Sequence, residues 1–493
     1  MNQVNKNILA NYFGKIWGFV AIYVFVPFYI KILGIESYAI INFYAVIIGL
    51  LAFADAGLTA TLTREMAKTV DTHKRGMLVY TFERIYLLIC ILIAVAIILF
   101  SKIIATNWLN SQDVPFEKVN GYIKYIGIGI SLQLFSTLYQ GALMGLQQQV
   151  LSNKIQILWS FFRSGLIILP LYFLPSLDVY FLWQIGANLL YLIILRVGVV
   201  KTINNTKPLQ FDTTLLKSLW KYALGMMLIA FISGLNIQVD KLVTSKLFSL
   251  SEFGYYSLAS TISQLPLLIA TPIIAAVFPL FTDQVAQKNQ NGIAVNFHRF
   301  SYIITGLAAP ATVTLMLYTP ELAYLWTGNE QLAMKIAPVA KVLLAGGFFL
   351  CLQLTPYYLA LAHGHTKTNI ALGVFSLALV FPLLNFFIKK YGLIGAAVPW
   401  AFINFIVFVI LGFSIIIKYM RGHVLNWILK DILVPLIISI LISLGFYLLI
   451  RNMGIYPKLI AIVIGGSTSL LVNIFVYHKL NPGLSLFNTK CSD

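Results

Sequence analysis

Charge is what this sequence has least of. Asp, Glu, Lys and Arg together make up 10% of its 493 residues, 59% are hydrophobic, and the mean hydropathy is +0.87. A soluble domain carries about a quarter of its residues charged, so that class is excluded. Acids are the rarer sign, 16 against 34 Lys and Arg. The three cysteines, Cys90, Cys351 and Cys491, stand far apart, and neither a disulfide framework nor a metal set follows from them. No phosphate-cradling G-x-x-x-x-G-K-[ST] loop occurs, and no cofactor is expected. The loops are too short to build paired carboxylates or a catalytic triad above a membrane, so the chain does not read as an enzyme. The opening "MNQVNKNILANYFGK" lacks the compact apolar run and small-residue cleavage site of a signal peptide, and the first helix is expected to stay.

Long apolar runs are what the chain has instead. A bilayer core of about 30 Å takes roughly 20 apolar residues per helix, and about fourteen such runs follow one another, from about 8 to 33 through about 456 to 478. They are continuously apolar rather than alternating, which excludes a transmembrane β-barrel. The expectation is an all-α, multi-pass membrane protein. Lys and Arg gather in alternate loops: Arg64, Lys68, Lys74 and Arg75, then Arg196 to Lys221, then Lys418, Arg421 and Lys430. The positive-inside rule therefore puts both termini in the cytoplasm. Basic loops facing anionic headgroups account for the net charge of +18. Nucleic-acid binding needs a concentrated basic surface, and these cations are scattered.

The chain also resembles itself. "KILGIESYAIINFYAVI" from Lys31 aligns with "KLFSLSEFGYYSLASTI" from Lys246, and "LYQGALMGLQQQ" from Leu138 with "YYLALAHGHTKT" from Tyr357, at offsets of roughly 215 to 219 residues. The simplest arrangement is two six-helix bundles, residues 1–205 and 206–420, with two further helices in 421–493. An even number of spans per copy gives both the same orientation, related by a pseudo-twofold axis along the membrane normal around a central cavity. Such an arrangement suits transport or flipping.

A charge near the bilayer centre costs about 2.5 to 3.5 kcal/mol on insertion scales, so each is a functional candidate. Arg163, in "WSFFRSGLIIL", lies too deep to snorkel and is the strongest. Lys15 lies roughly 10 Å in from the cytoplasmic end of the first span, at a rise of about 1.5 Å per residue, where a Lys stem could also reach the interface. Asp240 and Lys241 fall in the polar run "LNIQVDKLVTSK", where Asn236 and Asp240 share a helix face, as do Gln238 and Lys241. Lys341 lies about a third of the way into the tenth span; Lys335 and Glu321 near its mouth could form a structural ion pair. Asp55, in "FADAGLTATLTREMAK", is at a depth where Lys15 could neutralise it. Arg84 and Glu83 read as interfacial, and His363 and His365 as ordinary loop histidines. Lys15, Arg163, Lys241 and Lys341 outnumber Asp55 and Asp240, and a cationic cavity suits an anionic ligand, with Arg particularly fitted to phosphate.

Several short stretches carry a family resemblance. "PFYIKILGIESY" at Pro27 to Tyr38, and "DAGL" at Asp55 to Leu58 followed by Arg64 and Ala67, resemble the polysaccharide flippases of the multidrug/oligosaccharidyl-lipid/polysaccharide exporter superfamily, the O-antigen translocase type. The chain departs from the family pattern at Ala39, where Gly is usual, and at Ala56, where Leu is usual. The resemblance implies translocation of an undecaprenyl-pyrophosphate-linked oligosaccharide across a bacterial inner membrane by alternating access. It implies Arg163 and Lys241 as diphosphate or acidic-sugar contacts, Lys15 as an entry contact, and Asp55 and Asp240 as ion-coupling or structural groups. Its implied partners are membrane lipids, a proton or sodium ion for coupling, and polysaccharide polymerase and assembly proteins. The alternatives are an ion-coupled multidrug or cation exporter of the same superfamily, and a membrane-embedded transferase of polysaccharide assembly.

Overall fold

The computed structural model describes residues 3–112, 114–205, 210–365 and 367–480. The side chain of Lys15 lies outside the described residues, as does Cys491. Eighteen α-helices follow in order: α1 (Gln3–Leu33), α2 (Ile35–Lys68), α3 (Thr72–Asn107), α4 (Phe116–Gly145), α5 (Gln149–Phe161), α6 (Ile168–Phe173), α7 (Leu177–Ile203), α8 (Thr213–Leu247) and α9 (Leu250–Ser263); then α10 (Leu265–Ala286), α11 (Gln290–Leu317), α12 (Thr319–Thr327), α13 (Glu330–Leu352), α14 (Leu354–Ala362), α15 (Lys367–Tyr419), α16 (Val424–Asn426), α17 (Val434–Ile450) and α18 (Ile455–Leu480). Two π-helical segments, Phe162–Leu166 and Trp427–Leu433, interrupt this series.

Among the described residues nine helical segments are long and apolar enough to cross a membrane. One of them, α15, is 53 residues long and holds two rods that meet at Gly392, whose φ of 56° and ψ of −134° break the helix. The outward face of α3 leaves Leu88, Leu92, Leu99 and Phe100 exposed, a surface that water would not tolerate and a bilayer solvates. This is an all-helical, multi-pass membrane protein.

By density of contacts the chain divides into Met1–Gly254 and Tyr255–Asp493. In the first unit α4 docks on α2 through small residues. A Cβ on Gly141 would stand 2.6 Å from Thr59 Cγ2, and one on Gly145 would stand 2.5 Å from the Thr63 carbonyl oxygen. With no hydrophobic drive between helices in lipid, this closeness of backbones supplies the packing energy. A polar clamp reinforces it on the far side: Glu83 of α3 accepts hydrogen bonds from the Tyr139 hydroxyl at 2.7 Å and from Arg196 at 3.1 Å. Glu83 therefore ties three helices together, a role beyond the interfacial one its position suggested.

The repeated turns meet. Glu36 and Ser251 hold equivalent places in the alignment of Lys31 with Lys246, and Ser251 donates to the Glu36 carboxylate at 3.3 Å. Gly254 is packed against Ile35 so closely that a Cβ there would stand 2.8 Å from Ile35 Cγ1. After α4, the Gln148 amide donates to the Leu143 carbonyl at 2.8 Å, with Gln147 at a φ of 59°; after α14, the His365 amide donates to the Ala360 carbonyl at 2.8 Å, with Gly364 at a φ of 67°. Both are Schellman closures, and the same closure follows α10, where Lys288 has a φ of 56°.

In the second unit α17 and α18 pack on α11 through buried polar pairs. The Tyr302 hydroxyl donates to the Asn473 carbonyl at 3.0 Å, Asn473 donates to the Ser439 hydroxyl at 3.2 Å, and Thr314 and Ser443 share a hydrogen bond of 3.2 Å. Trp427 is fully buried against Gly412, where a Cβ would come within 2.3 Å of the ring. Glu321 pairs with Lys458 of α18 at 2.8 Å, while Lys335 sits over the Tyr255 ring. The ion pair considered between Glu321 and Lys335 is thus replaced by one across 137 residues.

Gly145→Leu is expected to destabilise the protein by about 1–3 kcal/mol, since no side chain fits between α4 and the α2 backbone. Gly186→Ala, at a site with open space around it, should be near neutral. Thermal unfolding of the two variants in detergent, monitored by size-exclusion chromatography, makes the comparison.

Candidate functional site

Arg163 stands at the one place where the fifth apolar run stops being an α-helix. Residues Phe162–Leu166 form a π-helical turn between α5 and α6. A π turn widens the helix, re-aims its side chains and weakens its internal hydrogen bonds, and such turns recur at functional sites. Three consecutive carbonyls of this turn are taken up by side chains from neighbouring helices. Trp183 Nε1 donates to the Phe162 oxygen at 3.1 Å, Gln184 Nε2 donates to the Arg163 oxygen at 3.3 Å, and the Tyr29 hydroxyl donates to the Ser164 oxygen. Gly165 allows the approach of α1, because a Cβ there would stand 2.8 Å from Phe25 Cζ.

The Arg163 side chain is held by the same residue that satisfies its backbone, with Nε donating to Gln184 Oε1. The guanidinium carbon lies 5.0 Å from the Trp159 ring centroid and 5.6 Å from that of Tyr44. Both rings are themselves fixed. Trp159 stacks on Tyr191 at 4.3 Å, and the Tyr44 hydroxyl accepts from Asn188 at 3.1 Å and donates to Gln133 at 3.2 Å. Gln184 and Asn188 are buried, and Arg163 is half-buried. Its two terminal amino groups have no acceptor among the described residues, and no carboxylate there pairs with it. The result is a planar cation, braced by aromatic rings and one amide, with its fork left for a ligand that can accept two parallel hydrogen bonds, such as a phosphate or carboxylate.

Asp55 occupies a separate cluster. Its carboxylate accepts from the hydroxyls of Thr59 and Tyr86, and those two hydroxyls lie 2.6 Å from each other. Asp55 and Arg163 have no hydrogen-bond partner in common. The pairing expected between Asp55 and Lys15 falls partly outside the described residues; the partners seen for Asp55 are hydroxyls. On α8, Asp240 is buried and Lys241 half-buried, in a helix that packs along α2. Asn236, which shares a face with Asp240, donates back to the Ile232 carbonyl at 3.0 Å, so its amide serves its own helix. Lys341 is half-buried on α13 in the second unit, with no ion pair among the described residues. His363 stacks on Tyr419 at 3.8 Å, and His365 is bonded to Thr368 and Lys418, a structural use of both rings.

One polar cluster was not legible in sequence. His298, His423 and Asp431 form a hydrogen-bonded chain in the second unit, although more than a hundred positions separate His298 from the other two. Each stands alone at the end of an apolar run, and nothing in the sequence links them.

The family model described as polysaccharide biosynthesis protein matches residues 4–285, more than half the chain. The chain belongs to this family. The MatE family model matches residues 222–387. Among curated proteins the chain is similar to one of Shigella flexneri named "Putative O-antigen transporter", 23% identical over 400 residues that cover 81% of this chain and 94% of that one. It is also similar to the succinoglycan biosynthesis transport protein ExoT of Rhizobium meliloti, 21% identical over 67% of this chain and 66% of that one. Among solved structures, the lipid II flippase MurJ in an inward closed conformation matches with a TM-score of 0.73, 15% identity, 96% of this chain and 98% of that one. An inward-facing multidrug resistance MATE family transporter of the MOP superfamily matches with a TM-score of 0.65, 16% identity, 85% of this chain and 96% of that one. The family member described here thus has the fold of the multidrug/oligosaccharidyl-lipid/polysaccharide exporters.

Gln184→Leu removes both the partner of Arg163 Nε and the donor to its backbone carbonyl. Leaving such groups unpaired costs about 1–3 kcal/mol each, so a lowered unfolding temperature and altered emission from Trp159 and Trp183 are expected. A variant that unfolds like the parent would show that the amide does not brace the π turn.

Proposed function

We propose that this chain moves a lipid-linked oligosaccharide, the repeat unit of O-antigen or a similar surface polysaccharide carried on undecaprenyl pyrophosphate, across the bacterial inner membrane by alternating access. The observation that carries this reading is Arg163: a guanidinium half-buried within an apolar helix, framed by Trp159 and Tyr44, without a counter-carboxylate among the described residues. A charged group is kept at that depth against a cost of several kcal/mol, and a ligand phosphate that must cross the low-dielectric core would offset it. The names of the relatives, an O-antigen transporter and a succinoglycan transport protein, support a glycan cargo.

In this proposal Lys241, Lys341 and Lys15 add positive potential along the path of the diphosphate. Asp55 and Asp240 couple a proton or sodium ion or brace their helices. Residues 1–205 and 206–420 act as two six-helix bundles that rock about a central cavity, with 421–493 appended, both termini in the cytoplasm, and polymerase and assembly proteins as partners. The chain performs no covalent step. The MatE match over residues 222–387 favours one competing reading, an ion-coupled exporter of drugs or cations.

Reconstituted vesicles containing a labelled lipid-pyrophosphate glycan separate the two. The flippase reading expects the label to become exposed in the opposite leaflet, while drug efflux and resistance without glycan movement would support the exporter. Arg163→Ala should slow translocation about tenfold or more, the size expected for losing a charge-assisted hydrogen bond, with Arg163→Lys in between. Unchanged translocation by Arg163→Ala would remove the residue from the path. Asp55→Asn should abolish stimulation by an ion gradient if that carboxylate couples, and leave it intact if it only braces.

A further inference from the structure

The second unit holds a built polar cavity that the flippase reading leaves unused. Four pieces of chain end together there: α11 with His298 and Arg299, the turn before α16 with His423, the π-helical segment Trp427–Leu433 with Lys430 and Asp431, and α18 with Tyr477. They enclose about 230 Å³. Asp431 Oδ2 lies 2.5 Å from His298 Nδ1, and His298 Nε2 lies 2.8 Å from His423 Nδ1. The carboxylate thus orients the first imidazole, and the first orients the second. Two facing ring nitrogens can share a single proton, so one imidazole must donate to the other. Outside the spans, burial and the neighbouring His298 hold His423 below the ordinary imidazole pKa, a state an anion in the cavity would reverse. Arg299 and Lys430 against Asp431 leave one surplus positive charge before either imidazole is protonated.

Beyond the paired rings of Tyr302 and Tyr477, whose centroids are 5.1 Å apart, lies a second cavity of about 260 Å³. Both cavities share those two tyrosines, and the second is walled by Phe300, Ile303, Leu470 and Ile474. Each exceeds the roughly 150 Å³ that accommodates a benzene ring. A cationic chamber at the helix ends, adjoining an apolar one along the helices across the Tyr302 and Tyr477 rings, has the polarity profile of a phospholipid.

We propose that the paired cavity binds a membrane phospholipid with an anionic headgroup, its phosphate against Arg299, His423 and Lys430 and an acyl chain along Phe300, Ile303, Leu470 and Ile474. Occupied, it would bridge α11, the turn before α16 and α18. The proposal concerns a resident lipid rather than the glycan cargo and does not depend on Arg163.

The test is native mass spectrometry of the full chain, delipidated in neutral detergent and titrated with phosphatidylglycerol, diacylglycerol or inorganic phosphate. One phosphatidylglycerol is expected to bind, with affinity reduced about tenfold by Lys430→Gln and by His423→Gln, the loss of one charge-assisted contact each. These two side chains are exposed or half-buried, so folding should survive, and Arg64→Gln at an exposed site in the other unit serves as the control. Equal binding of diacylglycerol would overturn the role of the phosphate, and equal binding of inorganic phosphate would overturn the lipid. Lys430→Gln and His423→Gln both binding like the parent, or Arg64→Gln losing as much as they do, would overturn the site.

Discussion

In a bilayer every backbone carbonyl that a helix does not use must find a donor inside the protein, and the architecture around Arg163 follows from that rule. Where the fifth run forms a π turn at Phe162–Leu166, the oxygens of Phe162, Arg163 and Ser164 accept from Trp183, Gln184 and Tyr29. These donors come from α7 and α1, so the turn ties three helices together as it re-aims the arginine. Gln184 does both tasks at once, accepting from the guanidinium and donating to the main chain. The cation is therefore held on a rigid support, which favours recognition of a ligand of fixed geometry over a flexible, snorkelling contact.

The same economy governs the rest of the packing. Where helices approach most closely they do so over glycine, as at Gly141 and Gly145 against α2 or Gly412 under Trp427. Where they stand further apart, hydroxyl and amide pairs such as Tyr302 with Asn473 hold them. Some ion pairs carry long-range connections, as Glu83 with Arg196 and Glu321 with Lys458. A weaker contact joins Glu36 to Ser251, the residue that the alignment of Lys31 with Lys246 sets opposite it.

Much of this was legible in the sequence. Helical, membrane-spanning character followed from apolar runs that no soluble fold could bury, and the family from "PFYIKILGIESY" and "DAGL". Arg163 stood out because an arginine at that depth has no cheap explanation. Its π turn did not, because "FRSGL" carries no local signal that separates it from an α-helical stretch; the widening depends on donors about twenty residues downstream and more than a hundred upstream. "GALMG" within the fourth run did hold the small-residue spacing of a close helix contact, a signal present but unread. The left-handed residues that close α4 and α14 are Gln147 and Gly364, and of the two only the glycine is a residue type that marks such a position in a sequence.

By itself the sequence determined class, family and the presence of buried charge, because hydropathy is a local property and the cost of a charge in lipid is paid residue by residue. Which polar groups meet was decided by tertiary structure alone. His298, His423 and Asp431 are unremarkable singly and form one hydrogen-bonded chain only when α11 meets the distant segment from His423 to Asp431; Glu321 selects Lys458 over Lys335, nearer in sequence, for the same reason. Partnership between side chains depends on distance in space, and in a chain of long helices joined by short turns that distance is set by how the helices pack.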